Sequence, residues 1–397
     1  MAKLCGVKVL MARLSGNSMQ HYVSTSQALL HPLKTALKMG TSIQFQEVLH
    51  DPDSYLRRTP TYKIIKKFLH KFLYLYWHKQ LPLLVETIPK ESRTLLLYTG
   101  KDSFGDSNLE LSGRSLLKHR DIHVDLLTTA KLVPQFEEDD IFENIYTSLA
   151  DCVNNKYSHI LIAEFNYKSI KLKCQGFKNF PFASLFGYFD GPARNQSTFS
   201  HASFNKIYEL GHDPAYIKKI AKPYIATKQL TKDIVARLAP TPPFIAISVG
   251  GIDVTRTYQL WTTVLKELDE ALSNSCKVIL IGSENGIQVA ENIYSQKFIN
   301  LEINNFVGKL SLLQSREVIS RANLFVGCDG GLMHIAHSTN TPSVTLFNYT
   351  EPNEYWLTPA CKSMALQSET QVSAIPPRTV VSAVLNALAS NQTSGIF

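Results

Sequence analysis

The chain has 397 residues, of which 44% are hydrophobic and 19% are charged, so it is neither disordered nor collagen-like and carries enough apolar material for two domains. The net charge is +8, but residues 1–90 carry +9 and the remaining 307 residues carry −1. The basic excess therefore belongs to the first quarter of the chain. Because the six cysteines form no CxxC pair, no signal segment is recognisable and no apolar run reaches about 18 residues, we expect a cytoplasmic protein without a membrane span.

Residues 1–90 lack the strand–turn–helix rhythm of the later sequence and are predicted to form a mostly helical, basic extension. The clearest element is a helix over 61–79, where apolar residues recur at helical spacing and lysines fill much of the rest. Two interpretations are open. Either the apolar stripe packs on the following domain, or the segment 57–79 makes peripheral contact with an anionic membrane.

From about residue 94 onward, short β-rich runs alternate with helical stretches, a pattern typical of a parallel sheet covered on both faces. A proline-rich stretch at 240–243 predicts a link between two such domains. The predicted domains are a helical extension and two α/β domains: 1–90, 91–239 and 240–397. The strands are predicted at 95–99, 124–127, 159–163, 182–186, 244–249, 277–282, 299–303, 323–327 and 343–347.

The loop after the first predicted strand contains Gly105 and Asp106, directly before a predicted helix. Open α/β sheets bind ligands at loops of this kind, beyond the carboxyl ends of the strands. Asp106 either caps the helix or projects into the space between the domains.

The loop after the predicted strand at 323–327 contains Asp329, Gly330 and Gly331, with His334 one turn into the next helix. A strand, an acid, two glycines and a helix N-terminus suit the binding of a phosphate group. The alternatives are that Asp329 caps the helix and that His334 is a core histidine.

Two more loops supply weaker candidates. Glu284 is placed to accept hydrogen bonds from ribose hydroxyls, and Arg256 suits a bidentate grip on a pyrophosphate. Arg256 alternatively packs on Tyr258 or Trp261. No zinc spacing, P-loop, GxSxG or nucleic-acid-binding signature is present, so neither a metal nor a nucleic acid is predicted as a partner.

The segment 305–347 resembles the donor-binding half of the bacterial heptosyltransferases, glycosyltransferase family nine. Gly105 and Asp106 resemble the opening motif of the same family, and the resemblance extends over roughly residues 93–390. In the donor half it rests on six residues: Asp329, Gly330, Gly331, His334, Ala336 and Pro342. The resemblance implies an α/β GT-B architecture, in which two Rossmann-like domains face a cleft, with a helical extension added at the N-terminus.

The resemblance also implies an inverting transfer of heptose from ADP-heptose, with the nucleotide sugar as a co-substrate and with neither a metal nor another cofactor. Asp106 would be the catalytic base, and Gly105 and Ser107 would lie on the acceptor side. The donor would be held by Asp329, Gly330, Gly331, His334, Glu284 and Arg256. Arg256 stands near the position of a family lysine, although the match there is loose.

The acceptor that the resemblance implies is the lipopolysaccharide core. The alternatives are a protein acceptor such as an autotransporter adhesin, and a catalytically silent GT-B scaffold. The extension of about 90 residues has no counterpart in the family pattern. It would serve acceptor recognition, oligomerisation or contact with the inner membrane.

Overall fold

The computed structural model describes residues 30, 33, 34, 37, 60–100, 102–187, 195–349 and 353–393. Most of the predicted extension 1–90 lies outside these residues, as do Arg57 and Arg58 of the predicted membrane-contact segment. Within the described ranges the chain forms two parallel sheets, each flanked by helices. The predicted α/β class with two Rossmann-like halves is confirmed.

The first sheet has the strand order β3-β2-β1-β4-β5, and all of its strand pairs are parallel. Its strands are β1 Thr94–Tyr98, β2 Val124–Thr128, β3 Phe142–Tyr146, β4 His159–Glu164 and β5 Phe182–Gly187. Every residue of β1 is buried, because the strand is central and helices cover both faces of the sheet. Successive side chains point to opposite faces, so Leu95 joins one core cluster and Leu96 the other.

The second sheet has the strand order β11-β10-β9-β6-β7-β8 and is also parallel. Its strands are β6 Phe244–Ser248, β7 Cys276–Ile281, β8 Leu301–Asn305, β9 Leu324–Cys328, β10 Ser343–Phe347 and β11 Ser363–Gln367. The first of them begins directly after the proline-rich stretch 240–243. Two strands of the structure, β3 and β11, were not predicted from the sequence.

Helices connect the strands and cover the sheets. They are α1 Thr61–Trp77, α2 Phe104–Glu110, α3 Val133–Phe136, α4 Leu149–Cys152, α5 Tyr167–Phe177, α6 Gln196–Ile207, α7 Pro214–Ile220, α8 Gln229–Leu238, α9 Trp261–Ala271, α10 Ile287–Tyr294, α11 Leu312–Arg321, α12 Gly331–Ser338 and α13 Pro377–Thr393. Among these described helices, none is both long enough and apolar enough to cross a bilayer.

Helix α1 packs on the first sheet. Ile64, Phe68 and Leu75 are buried in the same cluster as β1, β4 and β5. Close to the end of the helix, Gln80 is buried and accepts a hydrogen bond from the ammonium group of Lys173 in α5. Burial of that ammonium lowers the pKa of Lys173 to about 8. The interpretation that an apolar stripe packs on the following domain is confirmed for this face of the helix.

The segment 221–228 runs from the first half of the molecule to the second and is hydrogen-bonded to both. The Tyr224 hydroxyl donates to Asp140 Oδ1 at 2.6 Å, in the first half. Three residues later, the Thr227 hydroxyl donates to Glu317 Oε1 at 2.5 Å, in helix α11 of the second half. The crossover is therefore fixed to each half by a side-chain hydrogen bond.

Candidate functional site

A cavity of about 660 Å³ lies between the two sheets, at the carboxyl ends of their strands. Loops of both halves line it, including 102–106 after β1, 248–253 after β6 and 328–331 after β9. Parallel sheets bind their ligands at this edge, because the loops there lead into helix N-termini. The loops that the sequence singled out as candidates therefore meet in one place.

Asp106 lies in the first turn of α2 and lines the cavity. The N-cap of this helix is Ser103, whose side-chain oxygen accepts a hydrogen bond from the Asp106 N–H at 3.4 Å. The capping interpretation of Asp106 is therefore wrong. Since another residue caps the helix, the Asp106 carboxylate is left facing the cavity at a helix N-terminus, where a negative charge is favourable.

Ser107, the next residue, points the other way. It is fully buried, and its hydroxyl donates to Gln135 Oε1 at 2.6 Å. The residue is not among those that line the cavity, whereas Gly105 is. Of the two residues predicted on the acceptor side, the structure brings only Gly105 to the cavity.

Asp329 follows β9 and pairs with Arg256, whose Nη1 lies 3.4 Å from Asp329 Oδ2. The N-cap of α12 is Gly330, without a side-chain cap, so the capping interpretation of Asp329 is wrong. Burial raises the pKa of the Asp329 carboxyl, and the Arg256 guanidinium opposes this shift. Arg256 Nε also lies 3.5 Å from Asp253 Oδ2, so the guanidinium lies between two carboxylates in the cavity wall.

His334 lies in α12 and contributes to the cavity wall, although its side chain is only 4% exposed. Burial lowers the pKa of His334 to about 3, with a smaller effect from neighbouring His337. The imidazole is therefore neutral at physiological pH. Its Nδ1 has no hydrogen-bond partner among the described residues, which leaves a buried polar atom available to a ligand.

The N-terminal turns of α2 and α12 touch across the cavity through two glycines. A Cβ placed on Gly105 would lie 3.4 Å from the His334 ring, and one placed on Gly331 would lie 2.7 Å from Phe104 Cδ1. The second distance is shorter than any ordinary carbon–carbon contact. Gly331 therefore permits the close approach of the two halves, in addition to leaving its backbone N–H at the start of α12.

The loop after β7 reaches the cavity through Ser283 and Asn285. Glu284, predicted to bind ribose, lies between them in the 3-10 turn Glu284–Gly286. It is exposed and is not among the cavity-lining residues. The structure thus brings the loop, but not the Glu284 side chain, to the cavity wall.

Lys131 is a cavity residue that sequence reasoning missed. It lies in the loop between β2 and α3, is exposed, and makes no ion pair among the residues that the structure describes. The sequence did contain a signal for Lys131: it follows the end of a predicted strand, and that loop lies at the same edge of the sheet as the loop of Asp106. Among the described residues of the wall, Lys131 and Arg256 carry positive charge, and four carboxylates accompany them: Asp102, Asp106, Asp253 and Asp329.

Within the described ranges, no group of three or more histidine, cysteine, aspartate or glutamate side chains is placed to hold a metal ion.

Two parallel α/β halves whose strand ends face a common cavity form the GT-B architecture. Residues 217–376 match the model of glycosyltransferase family 9 (heptosyltransferase). This match confirms, for residues 217–376, the resemblance to the family that is seen in the sequence. No curated protein matches the chain.

Solved structures show the same fold. A family 9 glycosyltransferase from Veillonella parvula DSM 2008 matches with a TM-score of 0.62 at 14% identity, covering 77% of this chain and 99% of that one. ADP-heptose lps heptosyltransferase II of E. coli matches with a TM-score of 0.58 at 15% identity, covering 76% and 99%. E. coli heptosyltransferase WaaC with ADP matches with a TM-score of 0.56 at 14% identity, covering 74% and 99%.

Proposed function

We propose that the protein transfers a heptose from ADP-heptose to a lipopolysaccharide core acceptor, by an inverting and metal-independent reaction with Asp106 as the base. The observation that carries the proposal is that Asp106 and the Asp329-Gly330-Gly331 loop, from opposite halves of the chain, line one cavity. We further propose that the first half is the acceptor domain and the second half the donor domain, divided at the crossover 221–228 and not at the boundary 239/240 expected from the sequence.

On the donor side, the N-terminus of α12 offers backbone N–H groups to the ADP diphosphate. Arg256 supplies a guanidinium on the same side, where the diphosphate would replace Asp329 as its partner. His334 is neutral, so it contributes a hydrogen bond rather than a charge. Glu284 is kept as a ribose-binding candidate, since its loop reaches the cavity.

On the acceptor side, Asp106 removes the proton of the acceptor hydroxyl as its oxygen attacks the anomeric carbon. The new carbon–oxygen bond forms on the face opposite ADP, while the bond from the anomeric carbon to the phosphate oxygen breaks. The departing ADP gains negative charge at that moment, and Arg256, Lys131 and the helix dipole are placed to stabilise it.

The test is turnover of ADP-heptose by Asp106→Asn, which keeps the size of the side chain and removes its basicity. We expect kcat to fall about 10²- to 10⁴-fold, while the Kd for ADP changes less than about threefold. Asp102→Asn is the matched control, because Asp102 lines the same cavity but precedes α2, and we expect its kcat to fall less than about tenfold. Transfer by Asp106→Asn at the wild-type rate would refute the assignment of Asp106 as the catalytic base.

The transfer assay also tests the metal requirement, the donor and the acceptor. Turnover that persists in EDTA supports metal independence, and a panel of nucleotide sugars identifies the donor. Comparison of a purified lipopolysaccharide core with a purified adhesin passenger domain identifies the acceptor. Calorimetry that shows no binding of ADP at micromolar protein would instead favour a catalytically silent scaffold.

We propose that the protein lies in the cytoplasm and attaches peripherally to the inner membrane. Oligomerisation through the extension is an alternative that sedimentation velocity tests directly.

A further inference from the structure

Helix α1 carries two apolar stripes on different sides, and among the residues that the structure describes only one of them is covered. The buried stripe is Ile64, Phe68 and Leu75. A second set of apolar side chains lies on a different side of the helix. Its first four members are seven, four and three residues apart in sequence, and Trp77 lies beside the last of them. We name this second set the outer band: Tyr62 is 66% exposed, Leu69 43%, Leu73 39%, Tyr76 61% and Trp77 68%.

The outer band is accompanied by positive charge. Lys63 and Lys66 are exposed and lie on the outward side of the same helix. No acidic residue occurs anywhere in Thr61–Trp77. Tyrosine and tryptophan combine an apolar body with a polar tip, which suits the boundary between lipid and water. The outer band thus has the composition of a surface helix that rests on an anionic bilayer.

The orientation of α1 places the Tyr62 end of the outer band on the side of the first sheet where the strands end and the cavity lies. Lys71, in mid-helix, pairs with Glu164 at the carboxyl end of β4. Beyond the end of the helix, Leu84 bridges to Phe182 at the amino end of β5. The helix therefore runs opposite to the strands. Tyr62 lies roughly 14 Å further along the helix from Lys71, toward the sheet edge that holds the cavity.

We propose that the outer band docks on an anionic bilayer surface and that the cleft then opens beside the lipid headgroups. An acceptor anchored in that bilayer would reach Asp106 without leaving the membrane, and this second clause rests on the proposed function. A second copy of the chain fits the outer band less well, because a symmetric contact would bring Lys63 and Lys66 of both copies together. Repulsion between these lysines weakens such a pairing, whereas anionic headgroups attract them.

The test is sedimentation of the full chain with vesicles of phosphatidylglycerol and phosphatidylethanolamine, in parallel with vesicles of phosphatidylcholine alone. We expect partitioning into the anionic vesicles to be at least about tenfold stronger, and to weaken in high salt. The double variant Leu73→Ser with Trp77→Ser and the double variant Lys63→Glu with Lys66→Glu should each lower it by about tenfold or more.

The matched control is Leu230→Ser in α8, where the leucine is 71% exposed on another helix, and its partitioning should equal that of the wild type. All variants should keep their thermal midpoint, because the altered side chains are exposed. As a second measurement, Trp77 fluorescence should shift to the blue when anionic vesicles are added. Trp77→Phe should remove that shift. Of the other two tryptophans, Trp261 is 1% exposed and already shielded from water, and Trp356 lines the cavity and is not part of the outer band.

Three results would overturn the proposal. They are failure of the wild type to bind anionic vesicles, equal binding by the outer-band variants, and loss of a wild-type dimer in those variants by sedimentation velocity. Because vesicle binding is measured without any sugar substrate, its failure is distinct from failure of the glycosyl-transfer assay. Binding without turnover of ADP-heptose would overturn only the proposed function.

Discussion

Gly331→Ala should impair catalysis while leaving the fold intact. At this position a Cβ would lie 2.7 Å from Phe104 Cδ1 and 3.2 Å from Phe104 Cε1, at the contact between α12 and α2. Carbon atoms in contact prefer a separation of about 3.5–4.0 Å, so the Phe104 ring, or the whole of α2, has to move by roughly 1 Å.

The size of the expected fall in kcat/KM follows from the free-energy cost of overpacking. An extra methyl group in a packed contact costs about 1–3 kcal/mol, and here the cost applies to the state in which the two halves meet. Since about 1.4 kcal/mol corresponds to a factor of ten, kcat/KM should fall about 5- to 150-fold.

Gly105→Ala is the matched control, because it adds the same methyl group to the facing helix. Its Cβ would lie 3.4 Å from the His334 ring, a nearly ordinary contact, and kcat/KM should fall less than about threefold. The assay is steady-state transfer from ADP-heptose, accompanied by thermal unfolding and by calorimetry with ADP. Equal activity of the two variants, or a larger loss for Gly105→Ala, would refute the steric argument.

Two further predictions concern charge. Lys131→Ala should lower kcat about 10- to 100-fold with little change in ADP affinity, because the charge that it stabilises develops as ADP departs; Lys118→Ala, at an exposed ion pair with Asp140, is the control. His201 is buried, which lowers its pKa to about 4, so the folded state binds fewer protons than the unfolded state between about pH 4 and 6.5, and stability is lost as the pH falls through this window. Urea unfolding should show that wild type loses about 2 kcal/mol more than His201→Gln between pH 7 and 5, and equal losses would contradict this account.

The fold was predictable where apolar runs are long and buried. The strands β1, β4, β6, β9 and β10 appear within one or two residues of their predicted positions, because central strands of a parallel sheet consist almost entirely of apolar residues. The strand β3 was missed since it lies at an edge and includes exposed Glu143 and Asn144. Helix α6 escaped prediction for another reason: the buried side chains of Ser200, His201 and Ser203 are hydrogen-bonded, so burial there does not follow hydrophobicity.

The candidate site was predictable at the level of loops, since strand ends mark the binding edge of such sheets. What the sequence leaves open is the direction of individual side chains. Ser107 points inward to Gln135 although its neighbour Asp106 faces the cavity. The pairing of Arg256 with Asp329 depends on two loops brought together by the order of strands in the second sheet, which local patterns do not encode.

The crossover 221–228 bears on how the two halves move relative to each other. Tyr224 is hydrogen-bonded to the first half and Thr227 to the second, while Lys228 N–H and the Thr231 hydroxyl donate back to Glu138 of the first half. A rotation that opens the cavity therefore breaks one or more of these hydrogen bonds. A hydrogen bond of this kind contributes only about 0.5–1.5 kcal/mol net, so thermal motion breaks any one of these bonds readily. The segment thus stabilises one preferred angle between the halves through several bonds that are individually weak, together with the bond that Asn195 donates to the Leu357 carbonyl.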